Sequence, residues 1–306
     1  MTITTTTQNF GIEIELTGVT REKAAQVIAE HFGKSFSHVG GGYGTYAARD
    51  SKGRKWKAMS DGSIRTERTT ASGRLAIGGR DYSCEVVTPI LQYEDLADVR
   101  AILVKLVQAG AVANESCGVH VHVDGANHTP ASLTRLEEFA VGRQDLFYEA
   151  LRIGARADRW CKKTPASLLK EMKNDPEKTA DSLERIWYSS ANDNYYGGID
   201  HQHYNPTRYH GINLHAFFTK GTVEFRLFNG TTDADKVLSY VQFCLAMSAW
   251  AINAGDRMSY RDCSGYTAAQ KERLMTSVLV NRLGMAGKEF KTARRILTEA
   301  FRGIAA

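Results

Sequence analysis

A chain of 306 residues that is 42% hydrophobic and 24% charged can bury one large core or two smaller ones, as an ordinary globular protein does. Lys plus Arg number 39 against 34 Asp plus Glu, a formal charge of +5 with a sequence pI near 8.9; with no concentrated basic tract, this suits a phosphorylated or carboxylated ligand and gives no indication of nucleic acid. The five cysteines, 84, 117, 161, 244 and 263, form no Cys-x-x-Cys and leave an odd one over, so a disulfide framework is excluded in favour of reduced thiols. No charged and apolar leader opens the chain and no stretch reaches the length of a membrane span, so a cytoplasmic location is expected.

In chain order, residues 9–17 alternate, with Phe10, Ile12, Ile14 and Leu16 on one face and Gly11, Glu13 and Glu15 on the other, which predicts a strand. Thr20 is an N-cap residue type, and Ala24, Ala25, Val27, Ile28 and Phe32 mark the buried stripe of a helix ending at Gly33. The run Val39-Gly-Gly-Gly-Tyr-Gly44 signals a loop, 55–58 a short strand, and Ser60-Asp-Gly-Ser63 a turn. The basic, glycine-containing segment 65–80 reads as a mobile insertion. Residues 82–88 read as a strand closed by Pro89, and 93–109 as a helix with Leu96, Val99, Ile102, Leu103 and Leu106 inward.

Next comes Cys117-Gly-Val-His-Val-His-Val-Asp124. As a strand it sets His120 and His122 on one face and Val119, Val121 and Val123 on the other. A second long helix is expected over 133–151. From 155 to 207 the apolar period weakens; a helix over 180–188 precedes a loop rich in Asn, Gly, Tyr and His, the composition of a binding loop. Strands over 209–217 and 222–228 predict a hairpin about Lys220-Gly221, and helices near 233–254, 268–283 and 288–303 complete the chain.

Compared by face, the strands carry matching chemistry. Glu13 and Glu15 share one face, His120 and His122 another, Glu224 and Arg226 a third, each backed by an apolar face; Glu85 lies in the 82–88 strand and Asp61 in the preceding turn. Carboxylates at i and i+2 stand about 6.6 Å apart along the backbone and repel by roughly 2.5 kcal/mol at an effective dielectric near 20. Several converging ones destabilise a fold unless a cation joins them. Hard oxygens with one or two imidazoles favour Mg²⁺ or Mn²⁺, whereas structural zinc recruits thiolates. Taken singly, Glu13/Glu15 and His120/His122 also read as solvated pairs and Glu224/Arg226 as a strand-face ion pair; joint occurrence favours a shared site. Cys117 reads as a packing residue, Gly40 to Gly44 as a turn rather than a phosphate cradle, and His201 and His203 as substrate-loop candidates.

Taken in order from about residue 9 to 250, Gly11-Ile-Glu-Ile-Glu15, Asp61-Gly-Ser63, Glu85-Val-Val-Thr-Pro89, the 117–124 strand, Arg208-Tyr-His-Gly-Ile-Asn213 and Thr222-Val-Glu-Phe-Arg-Leu-Phe-Asn-Gly-Thr231 resemble the amidoligase family. These are carboxylate-amine ligases related to glutamine synthetase and glutamate-cysteine ligase. The resemblance implies an α+β fold: a glutamine-synthetase-like curved antiparallel sheet with helices on its convex side. The catalytic domain would cover 1–254, with insertions at about 62–81 and 155–207, and helices over 255–306 would pack on it. It implies ATP and Mg²⁺ (or Mn²⁺) as cofactors on the concave face, with Glu13, Glu15, Glu85, His120 and Glu224 as metal ligands. Arg226 contacts phosphate, Arg208 is a second phosphate candidate, and Asp61 stands where an acidic metal or substrate contact is placed.

The implied reaction joins a carboxylate to an amine through an acyl phosphate, the substrates being small molecules, peptides or macromolecular side chains. No Walker A or Gly-x-Gly-x-x-Gly motif is present, so sheet and metals hold the nucleotide. His122 is the candidate base. The rival readings are a metal-dependent hydrolase or oxygenase using His120 and His122, and a non-catalytic binding module. Oligomeric state is open.

Overall fold

The computed structural model describes residues 2–192, 194, 198–255 and 263–302. Its strands are β1 (Phe10–Leu16), β2 (Phe36–Gly40), β3 (Thr45–Arg49), β4 (Lys55–Met59), β5 (Glu67–Thr69), β6 (Leu75–Ile77), β7 (Cys84–Val87), β8 (Gly118–Asp124), β9 (Ile212–Asn213) and β10 (Thr222–Asn229). The helices are α1 (Arg21–Phe32), α2 (Leu96–Gln108), α3 (Pro130–Val141), α4 (Gln144–Ala150), α5 (Ala166–Asn174), α6 (Ala180–Trp187), α7 (His215–Lys220), α8 (Ala234–Asn253), α9 (Ala268–Ser277) and α10 (Lys291–Arg302). The result is a mixed α/β fold with a large antiparallel sheet. Residue 303, the expected end of the last helix, and residues 193 and 195–197 of the expected polar loop lie outside the described residues.

The chain divides into two compact units, one of residues 9–121 with 228–241, the other of residues 1–8, 122–227 and 242–306. In the first unit the strands follow the order β2-β3-β4-β7-β1-β8. The apolar face of β1, Phe10, Ile12, Ile14 and Leu16, is buried, as are Val119 and Val121 of β8, because period-two alternation sends one face of each strand into the core. Helix α1 starts where the Thr20 side chain accepts the Lys23 N–H and stops at Gly33, whose φ of 63° the missing side chain permits. It packs against β3 and β4, with Phe32 and Trp56 5.8 Å apart.

Two readings of this unit gain detail in the structure. The segment 65–80, read as a mobile insertion, contains a β5/β6 hairpin with Arg68 opposite Ala76; the Glu67 N–H donates to Thr17 Oγ1 at 2.7 Å and Thr17 Oγ1 donates to the Glu67 carbonyl at 3.0 Å. The loop signal at 39–44 hides the β2/β3 hairpin, whose turn the glycines do make. Strand β2 is mostly exposed, so no apolar alternation marks it.

The second unit contains β8-β10-β9 and most of the helices. The single helix expected over 133–151 is two, because Gly142 and Arg143 interrupt it; glycine costs a helix interior about 1 kcal/mol. The expected strand 209–217 shrinks to β9, and residues 215–220 are helical instead. Leu214-His-Ala-Phe-Phe has no period of two, and burying His215 against the Tyr188 hydroxyl, 2.6 Å from Nδ1, suits a helical turn. Helix α5 goes unread because only Leu168 and Met172 of it are buried. At the C-terminal end α9 continues into a π turn over Val278–Arg282.

Candidate active site

In the first unit, β1 projects Glu13 and Glu15 from the face opposite its buried isoleucines. The antiparallel register with β7 sets Glu15 directly across from Glu85, and Glu13 across from Val87. Glu85 is also paired with Met59 at the end of β4, where the chain turns into Asp61. Ligand atoms of Glu13, Glu85 and His120 all lie within 4.8 Å of one another, and so do those of Glu15, Asp61 and Glu85.

The neighbours fix these groups. His120 Nδ1 is 3.1 Å from Glu13 Oε2, and its Nε2 is 4.0 Å from Glu15 Oε1. The Gly118 N–H donates to Glu15 Oε2 at 2.6 Å. Asp61 is held by its own turn, its Oδ1 accepting from the Ser63 N–H and hydroxyl at 2.7 and 2.5 Å, while Ser83 Oγ bonds both its N–H and its carbonyl.

Side chains directly opposite in an antiparallel pair have Cβ atoms about 5 Å apart. Two charged carboxylates there repel by about 3 kcal/mol at an effective dielectric of 20. The set of carboxylate oxygens with one imidazole fits a hard divalent cation such as Mg²⁺ or Mn²⁺. A thiolate site does not fit: Cys84, next to Glu85, is buried and its pKa is pushed up to about 12 by desolvation, so the thiol keeps its proton.

In the second unit Thr222, Glu224 and Arg226 share one face of β10. Glu224 lies opposite Asn213 in register, accepts from Asn213 Nδ2 at 2.6 Å and from Arg226 Nη1 at 2.5 Å, and is almost wholly buried. Arg226 Nε donates to the Trp160 carbonyl at 3.2 Å, so two contacts orient the guanidinium. His122 Nδ1 is 3.0 Å from Thr222 Oγ1, and its Nε2 is 3.8 Å from Glu224 Oε1. The Gly211 carbonyl accepts the Arg226 N–H, and a Cβ on Gly211 would come within 2.5 Å of Leu227 Cδ2 and 2.6 Å of the Tyr148 hydroxyl. A side chain there would have to push both of those side-chain ends aside.

Arg208 and Arg226, read from sequence as separate phosphate candidates, both approach Tyr209, at 5.6 and 5.9 Å from its ring centre. Arg208 also donates to the His203 carbonyl. His201 meets Glu184 at 2.6 Å on an exposed surface, so the 201/203 pair lies in a loop, as expected. Sequence reading missed Tyr209, Asn213 and the Trp160 carbonyl. Asn213 had a signal, since a polar residue paired in register with Glu224 serves as its donor.

A comparison with curated proteins finds no match. The family described as "Putative amidoligase enzyme" matches residues 6–248, a span that holds every residue of both clusters. On that match, the chain belongs to the amidoligase family of ligase-type enzymes.

Proposed function

We propose that the protein is an ATP-dependent carboxylate-amine ligase with a glutamine-synthetase-like sheet. The observation that carries this reading is the in-register Glu15/Glu85 pair with Glu13, His120 and Asp61 gathered about it, inside the span the family matches. Like charges are placed together where a cation relieves them.

Glu13, Glu15, Glu85 and His120 would hold Mg²⁺ or Mn²⁺, with Asp61 as a metal or substrate contact; Glu224, in the other unit, is a further ligand candidate. When bound, the cation neutralises triphosphate charge and the charge that develops on the transferred group. A carboxylate is a poor electrophile, so ATP first transfers its γ-phosphoryl group to a carboxylate oxygen, giving an acyl phosphate and ADP. The amine nitrogen then attacks the acyl carbon, the C–O bond to phosphate breaks, and amide, phosphate and a proton leave.

The residues of this chain position and stabilise. Arg226, aimed by Glu224 and the Trp160 carbonyl, and Arg208, across the Tyr209 ring, bind phosphate oxygens. His122, oriented through Thr222, takes the proton from the amine. Reduced buried cysteines agree with a cytoplasmic enzyme, and among the described residues no helix is long and apolar enough to cross a membrane.

The test is ADP release by purified protein with ATP, Mg²⁺ and a panel of carboxylates and amines, with product mass measured. Amide formation that Glu15→Gln abolishes is the expected result. Protein that binds no ATP in the presence of Mg²⁺, or a Glu15→Gln variant as active as the parent, rejects the proposal.

A further inference from the structure

Asn213 stands on β9 in register with Glu224 of β10, so the two side chains leave the sheet on the same face, that of Thr222 and Arg226. The neighbouring pair, Ile212 and Phe225, points the other way, and both of its members are buried. Period-two alternation therefore leaves Asn213 no choice of side.

Its amide is used at one end only. Nδ2 donates to Glu224 Oε2 at 2.6 Å, whereas Oδ1 is buried and, among the described residues, no donor reaches it; the residue as a whole is 1% exposed. Turning the amide over gives no relief, because its oxygen would then meet a carboxylate oxygen, acceptor against acceptor. A buried carbonyl without a donor opposes folding. In a native fold such a group needs a reason, and a ligand that supplies the missing donor is one.

The chemistry of the reactants decides which ligand that is. Phosphate and carboxylate oxygens only accept, so either would stand against Oδ1 as the turned amide does. An aliphatic amine is protonated at neutral pH and carries three N–H donors and no acceptor. A nucleotide hydroxyl offers one donor and no charge; beside the Glu224 carboxylate the cation makes the stronger, charge-assisted bonds.

Resting on the ligase reading, we propose that Asn213 Oδ1 binds the amine substrate, accepting one N–H of its ammonium group beside Glu224. Asn213 forms no covalent bond and takes no proton. Once the ammonium has lost a proton, the electron pair stays on nitrogen, and a carbonyl that holds a remaining N–H leaves that pair free to attack the acyl carbon. The residue thus sets the affinity and aim of the amine and has no part in phosphoryl transfer.

The test is ligand-observed NMR titration of the full-length protein with Mg²⁺ at matched ionic strength, using methylammonium chloride in one arm and adenosine in the other. Asn213→Ala removes both ends of the amide, whereas Asn213→Asp keeps an acceptor oxygen and gives up the donor to Glu224. Saturable methylammonium binding is expected in the parent, weakened about tenfold in N213A and retained or tightened in N213D, with adenosine binding alike in all three. Loss in N213D overturns the proposal whether or not N213A folds, since it shows that residue 213 acts only through its bond to Glu224. Absence of saturable methylammonium binding in the parent, unchanged affinity in N213A, or a fall in adenosine affinity alone also overturns it. ATP binding by the parent, measured separately, judges the ligase reading, so the failure of one is told apart from the failure of the other.

Discussion

Glu15 on β1 and Glu85 on β7 face each other across an antiparallel register, and both are buried. Sheets avoid like charges in directly opposed positions because the pair opposes folding. The Gly118 N–H eases only the Glu15 side of it.

Removing one of these charges separates stability from function. Glu15→Gln keeps an oxygen that accepts the Gly118 N–H, so without divalent cation the variant should be more stable than the parent by about 1–3 kcal/mol. The parent should gain about 2.7 kcal/mol at a hundredfold excess of Mn²⁺ over its dissociation constant, and the variant far less. Urea unfolding in EDTA and in Mn²⁺ gives both numbers; an identical cation response in the two proteins removes the cation site.

Asp61 offers a cleaner dissection. An asparagine at 61 can accept the same two bonds from Ser63, so Asp61→Asn should change stability by less than about 0.5 kcal/mol. Its effect should fall on Mn²⁺ affinity or on turnover, read by titration calorimetry and by initial rates.

Glu224 and Arg226 are a buried pair, and such pairs are costly to break one partner at a time. Arg226→Met should cost about 3–5 kcal/mol by stranding the Glu224 charge, while adding Glu224→Gln should recover much of it. A double-mutant cycle by chemical denaturation measures the coupling; purely additive losses contradict it.

Stability should also depend on pH through three buried groups. Glu137 on α3 is fully buried, accepts the Thr164 hydroxyl at 3.0 Å, and its pKa is pushed up to about 8 by desolvation. The unfolded chain ionises it near its ordinary 4.5, so the fold loses stability as pH rises from about 4.5 to 8, by a few kcal/mol in order of magnitude. His128, between Ser132 and Ser248 hydroxyls, and His215 are both lowered to about 4 by burial. Their contribution is present above the unfolded value of 6.5 and lost as pH falls toward 4. Glu137→Gln should therefore leave stability at pH 5 unchanged and raise it at pH 8.5, moving the optimum upward in a series of denaturant melts.

Strands β1, β7, β8 and β10 were legible because each buries one face and presents chemistry on the other, so alternation exposes both at once. Alternation brings out Glu13, Glu15, His120, His122 and Glu224, and the family resemblance supplies their expected roles. β2 was illegible because its side chains are largely solvated, and α7 because a short helix between two turns leaves no full period to read. Tyr209 and Asn213 acquire meaning only through partners set by pairing across the chain.

In β8 the imidazoles of His120 and His122 alternate with Val119, Val121 and Val123, all three of them fully buried. Because the boundary between the two units falls between Val121 and His122, this one strand delivers a histidine to each. Deleting or duplicating a single residue ahead of Gly118 would invert every side chain of the strand. Both imidazoles would then be driven into hydrocarbon and the valines turned out in their place. Length variation is thus forbidden here even where side-chain substitution is tolerated, and engineering of this enzyme can exchange residues in β8 but cannot shift its frame.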